Sequence, residues 1–122
     1  MSFFKNFLII ILLTANSVIA GNFNDSIPEA PSPFMLINDY AGLLRIDEKN
    51  NLEKKVRLFY DSTSTQIAVV IVNNLAGLEP SDYAQQVGQK WGVGQKGKNN
   101  GLVILIKPKT EREKGQVFIA TG

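Results

Sequence analysis

The chain has 122 residues, the length of one domain, with 13 Lys and Arg, 11 Asp and Glu, and neither His nor Cys. Its 44% apolar and 20% charged residues are ordinary for a globular protein, and a net charge of +2 argues against nucleic acid as a partner. Without Cys there is no disulfide or thiolate site, and without His there is no Ser–His–Asp triad. A metal site would need oxygen ligands, which suit calcium or magnesium.

Residues 1–20 have the three parts of a secretory signal peptide. Lys5 supplies a positive charge near the N-terminus, Phe7–Leu13 is an unbroken apolar run, and the small or medium residues Val18 and Ile19 lead up to Ala20. We expect cleavage between Ala20 and Gly21, and therefore export to the periplasm or the extracellular space. An uncleaved membrane anchor is the alternative, but the apolar run is shorter than the roughly 20 residues that span a bilayer.

The segment that follows, residues 21–33, contains three of the five prolines and few apolar side chains. Proline removes a backbone donor and restricts the residue before it, so this composition predicts a flexible, extended tether. The rest of the chain, residues 34–122, is interpreted as one domain that begins with a short apolar run.

The first predicted helix runs from Asp47, a candidate N-cap, to about Asp61. The basic residues Lys54 and Arg57 lie off its apolar face. We interpret them as part of a solvated surface, with contact to a membrane surface as the alternative. Four residues recur with the spacing of one helical face: Leu52, Val56, Phe59 and Tyr60.

Residues 66–72 and 101–107 are rich in β-branched and other apolar side chains, which predicts two strands buried on both faces. A helix that begins near Ser81 separates them, so a right-handed crossover makes them parallel. A third strand, residues 116–121, returns as a hairpin. The predicted fold is an α/β sandwich with a central mixed sheet. Because nothing covers the sheet after its third strand, we expect the natural domain to continue beyond Gly122.

Two opposite edges of this sheet compete as the ligand site. The carboxyl ends of parallel strands are the usual place, which favours Asn73 and Asn74. The glycine- and amide-rich loop of residues 92–101 opens at the amino edge instead, beside the end of the third strand. This loop superficially resembles a phosphate cradle, but it precedes a strand rather than a helix. We therefore interpret Gly92 and Gly94 as a helix C-cap and a turn.

Asp39 and Trp91 each have two interpretations. Asp39 is either the carboxylate of an Asx-turn or helix cap, or a ligand to a hard cation, and the chemistry alone favours the turn. Trp91 is the only tryptophan. It shares the apolar face of the second helix with Tyr83, Ala84 and Val87, which favours core packing over a binding role.

Over residues 33–122 the chain resembles the TPM domain family in the order and spacing of its motifs: DYAGLL, QIAVVIV, DYA, WGVG, NNGLVILI and ATG. The resemblance implies a three-layer α/β/α sandwich, here truncated at its C-terminus. Family members typically have a signal peptide, and many carry a membrane segment beyond the domain. The resemblance therefore implies a membrane tether beyond Gly122.

The resemblance also implies a site and an activity. A plant member of the family is associated with acid phosphatase activity, and some bacterial members bind calcium or other divalent ions. The two acidic positions linked with that site correspond here to Asp39 and Asn99, so a neutral amide replaces one carboxylate and weakens cation binding. The resemblance implies that both lie at the amino edge of the sheet, with Gly97, Asn100 and Gly101 forming the ligand loop.

Two functions follow as hypotheses. The first is an exported binding or assembly-assisting module for a membrane or envelope complex, with protein partners and weak binding of a divalent cation such as calcium. The second is a metal-assisted acid phosphatase that acts on phosphomonoesters, in which the ion polarises the phosphoryl oxygen and lowers the pKa of a bound water. The amide at Asn99 favours the first.

Overall fold

The computed structural model of the protein describes residues 26–94 and 97–122. The predicted signal peptide, its cleavage site at Ala20 and Gly21, and the start of the predicted tether lie outside the described residues. Within these ranges, no helix has both the length and the apolar character needed to cross a membrane. The elements in chain order are β1 (Ile37–Asp39), α1 (Ile46–Thr63), β2 (Gln66–Ile71), α2 (Pro80–Trp91), β3 (Gly101–Lys107) and β4 (Gln116–Thr121).

The four strands form one mixed sheet in the order β1-β2-β3-β4. β1, β2 and β3 are parallel, and β4 returns antiparallel to β3, so the predicted parallel pairing of β2 with β3 and the predicted hairpin are both confirmed. Asp39 is aligned with Ile71, and Ile71 with Ile106, which marks the carboxyl edge of the parallel strands. Gln66 is aligned with Gly101 at the amino edge. The fold class is α/β, as predicted.

α2 forms the main core with β3 and β4. It begins at Pro80, one residue before Ser81, and ends at Trp91. Gly92 follows with a φ of 63°, which confirms the predicted C-cap. Trp91 is 7% exposed within this core, which confirms its packing role. The buried side chains of the cluster alternate along the strands and recur on one helical face: Val70, Val72, Tyr83, Ala84, Val87, Trp91, Val103 and Leu105.

α1 begins one residue before the predicted start, with Arg45 at the N-cap. The prediction that Asp47 is the N-cap is therefore wrong, and Asp47 lies in the first turn, where a negative charge suits the helix dipole. The Glu48 carboxylate accepts a hydrogen bond from the Arg45 backbone N–H at 2.9 Å. This is the hydrogen bond that the N3 glutamate makes in a capping box, although Arg45 rather than a Ser or Thr occupies the N-cap position.

α1 covers only half the width of the sheet. It packs against β1 and β2, and among the described residues no Cα atom of α1 lies within 8 Å of a Cα atom of β3 or β4. As a result, Leu52 and Phe59 on α1 remain 38% and 43% exposed, and Val117 and Ile119 on β4 remain 67% and 55% exposed. The prediction of strands buried on both faces therefore holds at Ile71. It fails at Ile67 and Val69 of β2, and it fails for β3, where buried and partly exposed residues alternate.

Residues 26–34, here called the N-terminal segment, lie against α2. Ile27 is 2% exposed in the core, and its carbonyl accepts a hydrogen bond from Lys90 Nζ at 2.7 Å. Trp91 Nε1 donates to the Pro28 carbonyl at 2.7 Å. The prediction of a flexible tether is therefore wrong for its described part, because one buried isoleucine and two backbone carbonyls attach it to the helix.

Candidate functional site

Asp39 ends β1, and its carboxylate holds the turn that leads into α1. Oδ1 accepts a hydrogen bond from the Ala41 N–H at 3.1 Å, and Oδ2 accepts one from the Leu44 N–H at 2.7 Å. Burial acts to raise the pKa of Asp39, but the backbone donors, led by Leu44, outweigh it and hold the pKa below its ordinary value of 3.8. The interpretation of Asp39 as a turn carboxylate is confirmed.

Asp39 and Asn99 lie at opposite edges of the sheet. Asp39 is aligned through β2 with Ile106, whereas Asn99 precedes Gly101, the first residue of β3. At about 3.3 Å per residue, the stretch from Gly101 to Ile106 spans roughly 16 Å. The expectation that these two side chains meet beside β4 is therefore wrong. The reason is that β1 and β3 are parallel, so the end of one and the start of the other fall at opposite edges.

A divalent cation held jointly by Asp39 and Asn99 does not fit this arrangement, because the oxygen ligands of calcium lie about 2.3–2.6 Å from the ion. Both oxygens of Asp39 already accept backbone hydrogen bonds. In residues 26–94 and 97–122, no group of three or more His, Cys, Asp or Glu side chains could hold a metal ion.

A cleft of about 670 Å³ opens at the amino edge, between α2 and the neighbouring ends of β3 and β4. Small residues form its floor, namely Ala84 and Gly88 on α2 and Ala120 on β4. Because these residues lack long side chains, space remains between the helix and the sheet, and the volume lies in the usual range for ligand sites. The structure brings four of the predicted loop residues together along this cleft: Gly97, Asn99, Asn100 and Gly101.

Uncharged polar side chains line the walls of the cleft. Gln85 and Gln89 lie one turn apart on α2, and Asn99 and Thr121 approach from the loop and from β4. Each amide offers one acceptor oxygen and two N–H donors. Among the described residues that line the cleft, none has a charged side chain. Because burying an unpaired ion is costly, this lining suits an uncharged polar ligand with both donors and acceptors.

Gln66 holds the loop that borders the cleft, a role that the sequence analysis missed. Its Oε1 accepts a hydrogen bond from the Gly94 N–H at 2.6 Å, and its own N–H donates to the Asn100 carbonyl at 2.9 Å. Asn99 has a positive φ of 48°, a conformation that asparagine tolerates. The one signal in the sequence is a polar residue at the start of an otherwise apolar strand.

The carboxyl edge offers a different set of groups. Asn73 and Asn74 are both exposed, and Asn74 Oδ1 accepts a hydrogen bond from the Ala76 N–H at 2.6 Å, so Asn74 forms a local turn. Lys107 is 7% exposed and pairs with Glu113 across the hairpin. The hydrogen bond that Lys107 donates holds the pKa of Glu113 below its ordinary value. These contacts stabilise turns, and the cleft remains the candidate site.

Comparisons with known proteins agree with the fold. The family model described as TPM domain matches residues 37–122. The solution NMR structure of the N-terminal domain of a protein from P. gingivalis is similar to this chain, with a TM-score of 0.61 and 27% identity. The match covers 72% of this chain and 54% of that one, so this chain spans about half the length of the solved domain. No curated protein sequence matches. Because the family model covers well over half of its residues, the chain belongs to the TPM domain family.

Proposed function

We propose that this TPM domain is an exported binding module that assists the assembly or upkeep of a membrane or envelope complex. The observation that carries the proposal is the amino-edge cleft, which combines a floor of small residues with walls of amide side chains. Amides that both donate and accept are suited to the backbone and neutral side chains of a protein partner. Export rests on the signal-peptide pattern of residues 1–20.

The position of Asp39 supports a binding role over the phosphatase alternative. Metal-assisted hydrolysis needs ligands that converge on one ion beside the phosphoryl group. Asp39 would be the carboxylate of that set, yet it caps a turn at the opposite edge of the sheet from Asn99. The described lining of the cleft contains neutral amides, a hydroxyl and glycine backbone, which can hold a ligand in place by hydrogen bonds.

Site-specific photo-crosslinking in the native cells tests the proposal. A photoreactive residue replaces Gln89 in the cleft, and in a matched control it replaces Lys54, which is exposed on α1. We expect a discrete cross-linked product with one envelope protein from position 89 and none from position 54. No product from either position, or the same product from both, would contradict the binding role of the cleft.

The phosphatase alternative has its own assay, the hydrolysis of an aryl phosphate by the purified protein with added divalent ions. We expect no activity above the rate of the ions alone. Hydrolysis by the wild type that is lost in Asp39→Ala would favour the phosphatase over the binding module, provided that the variant is folded.

A further inference from the structure

The N-terminal segment precedes the part of the chain that the family model matches, yet it packs against the core of that part. The match begins at residue 37, whereas the segment comprises residues 26–34. Its Ile27 is 2% exposed and belongs to the same buried cluster as Trp91 on α2. Residues of the TPM domain therefore hold a stretch of chain that lies outside the match.

Side-chain donors of α2, rather than a β-ladder, hold this stretch in place. Lys90 Nζ donates to the Ile27 carbonyl at 2.7 Å, and Trp91 Nε1 donates to the Pro28 carbonyl at 2.7 Å. The Lys90 ammonium also lies 2.9 Å from the Glu29 carboxylate. Among the described residues, none forms a backbone–backbone hydrogen bond with residues 27–34. An aromatic side chain against a proline-containing segment is the arrangement by which many domains recognise extended peptides.

The segment contacts the domain near its two ends. Residues 27–29 form the first contact, here called the Ile27 contact. At the second contact, the Phe34 ring meets the Trp91 ring edge-on at 6.4 Å, and Arg57 donates to the Phe34 carbonyl at 2.9 Å. Residues 30–33 between them include two prolines and form no hydrogen bond with the described part of the chain. The Ile27 contact is therefore joined to the domain by a short linker, and it can open without disrupting the sheet.

We propose that the surface bound by the Ile27 contact, here called the Lys90–Trp91 site, is a binding site for an extended peptide of a partner protein. The peptide has an aliphatic residue at the buried position of Ile27, then a proline, then an acidic residue beside Lys90. The chain's own segment fills the site as an internal ligand, and the partner's peptide replaces it. Neither Lys90 nor Trp91 lines the described cleft, so the inference does not depend on the proposed function.

The linker decides which occupant can replace the internal ligand. A short linker keeps the internal ligand at an effective concentration of about millimolar. A second copy of this chain offers the same residues at a far lower concentration, so exchange between copies is disfavoured. A partner's peptide can add contacts beyond those of residues 27–29, and its proline reduces the conformational entropy lost on binding. The site is therefore closed until a ligand arrives that binds it better than the internal ligand does.

A synthetic peptide with the sequence of residues 26–33 tests the site in solution. Ile27→Ala in the protein weakens the internal ligand, so a larger fraction of the sites is open and the apparent affinity for the peptide rises. We expect the variant to bind the labelled peptide at least about tenfold more tightly than the wild type does. Ile46→Ala is the matched control, because Ile46 is 79% exposed on α1, and its affinity should equal that of the wild type. A peptide that carries Ile27→Asp should not bind.

Trp91 reports on the site without a label, because it is the only tryptophan and is 7% exposed. Acrylamide should quench its fluorescence more strongly in Ile27→Ala than in the wild type, and added peptide should reverse the difference. A protease site in place of residues 30–33 covers the case in which Ile27→Ala does not fold, since this protein folds intact and is cut afterwards. We expect the cut protein to release its N-terminal fragment on dilution and to bind the labelled peptide.

Four results would overturn the proposal. The first is a peptide that binds neither Ile27→Ala nor the cut protein. The second is equal affinity for the wild type and Ile27→Ala, which would place the peptide elsewhere. The third is a cut protein that unfolds as its fragment leaves, which would make the segment part of the core. The fourth is a wild type with the mass of two copies that added peptide converts to one, which would assign the site to the segment of a second copy.

Discussion

Gly94 and Gly101 approach each other backbone to backbone at the amino edge of the sheet. A Cβ on Gly94 would lie 2.5 Å from the Gly101 nitrogen, and Gly94 has a φ of 88°. A Cβ on Gly101 would overlap the Val93 carbonyl. Glycine at both positions therefore allows the loop to cross the start of β3 and to border the cleft.

Gly101→Ala should lower the free energy of unfolding by about 3 kcal/mol, because the new methyl group meets rigid backbone. Gly77→Ala is the matched control. Gly77 also has a positive φ, of 76°, but no described atom lies within 4 Å of its added Cβ, so it should lose only about 1–2 kcal/mol. Urea denaturation measures the free energy of unfolding of both variants. Equal losses in the two variants would show that the close approach does not constrain the loop.

Asp39→Asn should make stability less dependent on pH. The folded-state pKa of Asp39 is lowered, so its carboxylate adds stability above the unfolded value of about 3.8, and this contribution is lost as pH falls through the folded pKa. The variant should be less stable than the wild type by about 1–2 kcal/mol at neutral pH, with the difference shrinking below about pH 4. A difference that stays constant across urea titrations at several pH values would argue against the turn role.

Glu53 attaches α1 to the start of the sheet. It is 8% exposed, and its two oxygens accept hydrogen bonds from the Leu36 and Ile37 N–H groups at 2.9 and 2.7 Å. Arg57 Nη2 lies 2.7 Å from Glu53 Oε1. Glu53→Ala leaves two backbone donors and the guanidinium without their acceptor, and should cost about 2–4 kcal/mol of stability.

Arg57→Ala provides the comparison for Glu53→Ala, because Arg57 is half exposed and its partner keeps both backbone donors. It should cost about 1 kcal/mol or less. Thermal unfolding of the two variants separates the stability that comes from the backbone hydrogen bonds of Glu53 from the stability that comes from its ion pair with Arg57. A larger loss in Arg57→Ala than in Glu53→Ala would mean that the ion pair, rather than the backbone contacts, joins the helix to β1.

Hydrophobic runs were sufficient to predict most of the fold. The bounds of β3 and β4 are those that the sequence predicts. Glycine, proline and charged residues flank both apolar stretches and mark where each strand begins and ends. Glu53 shows what such patterns miss. Its spacing from Arg57 predicts a solvated ion pair, and only the position of β1 beside α1 makes it a buried acceptor.

The candidate site was predicted in part. The glycines and amides of one loop predict backbone exposed at a strand end. In the structure this loop borders the cleft, through Gly97, Asn99, Asn100 and Gly101. The family resemblance placed Asp39 at the wrong edge, and local patterns could not correct this, because they do not specify whether β1 pairs parallel or antiparallel with β2. Ile27 was missed because a single apolar residue in a polar, proline-rich stretch carries no periodic signal.

The most direct test of the binding role measures the affinity of the partner that is cross-linked from position 89. Calorimetry would compare the wild type, the double variant Gln85→Ala with Gln89→Ala, and the control Gln86→Ala on the same helix, outside the described lining of the cleft. The account predicts at least a tenfold loss of affinity, about 1.4 kcal/mol, in the double variant and no change in the control. Equal affinity of all three proteins would contradict a binding role for the cleft.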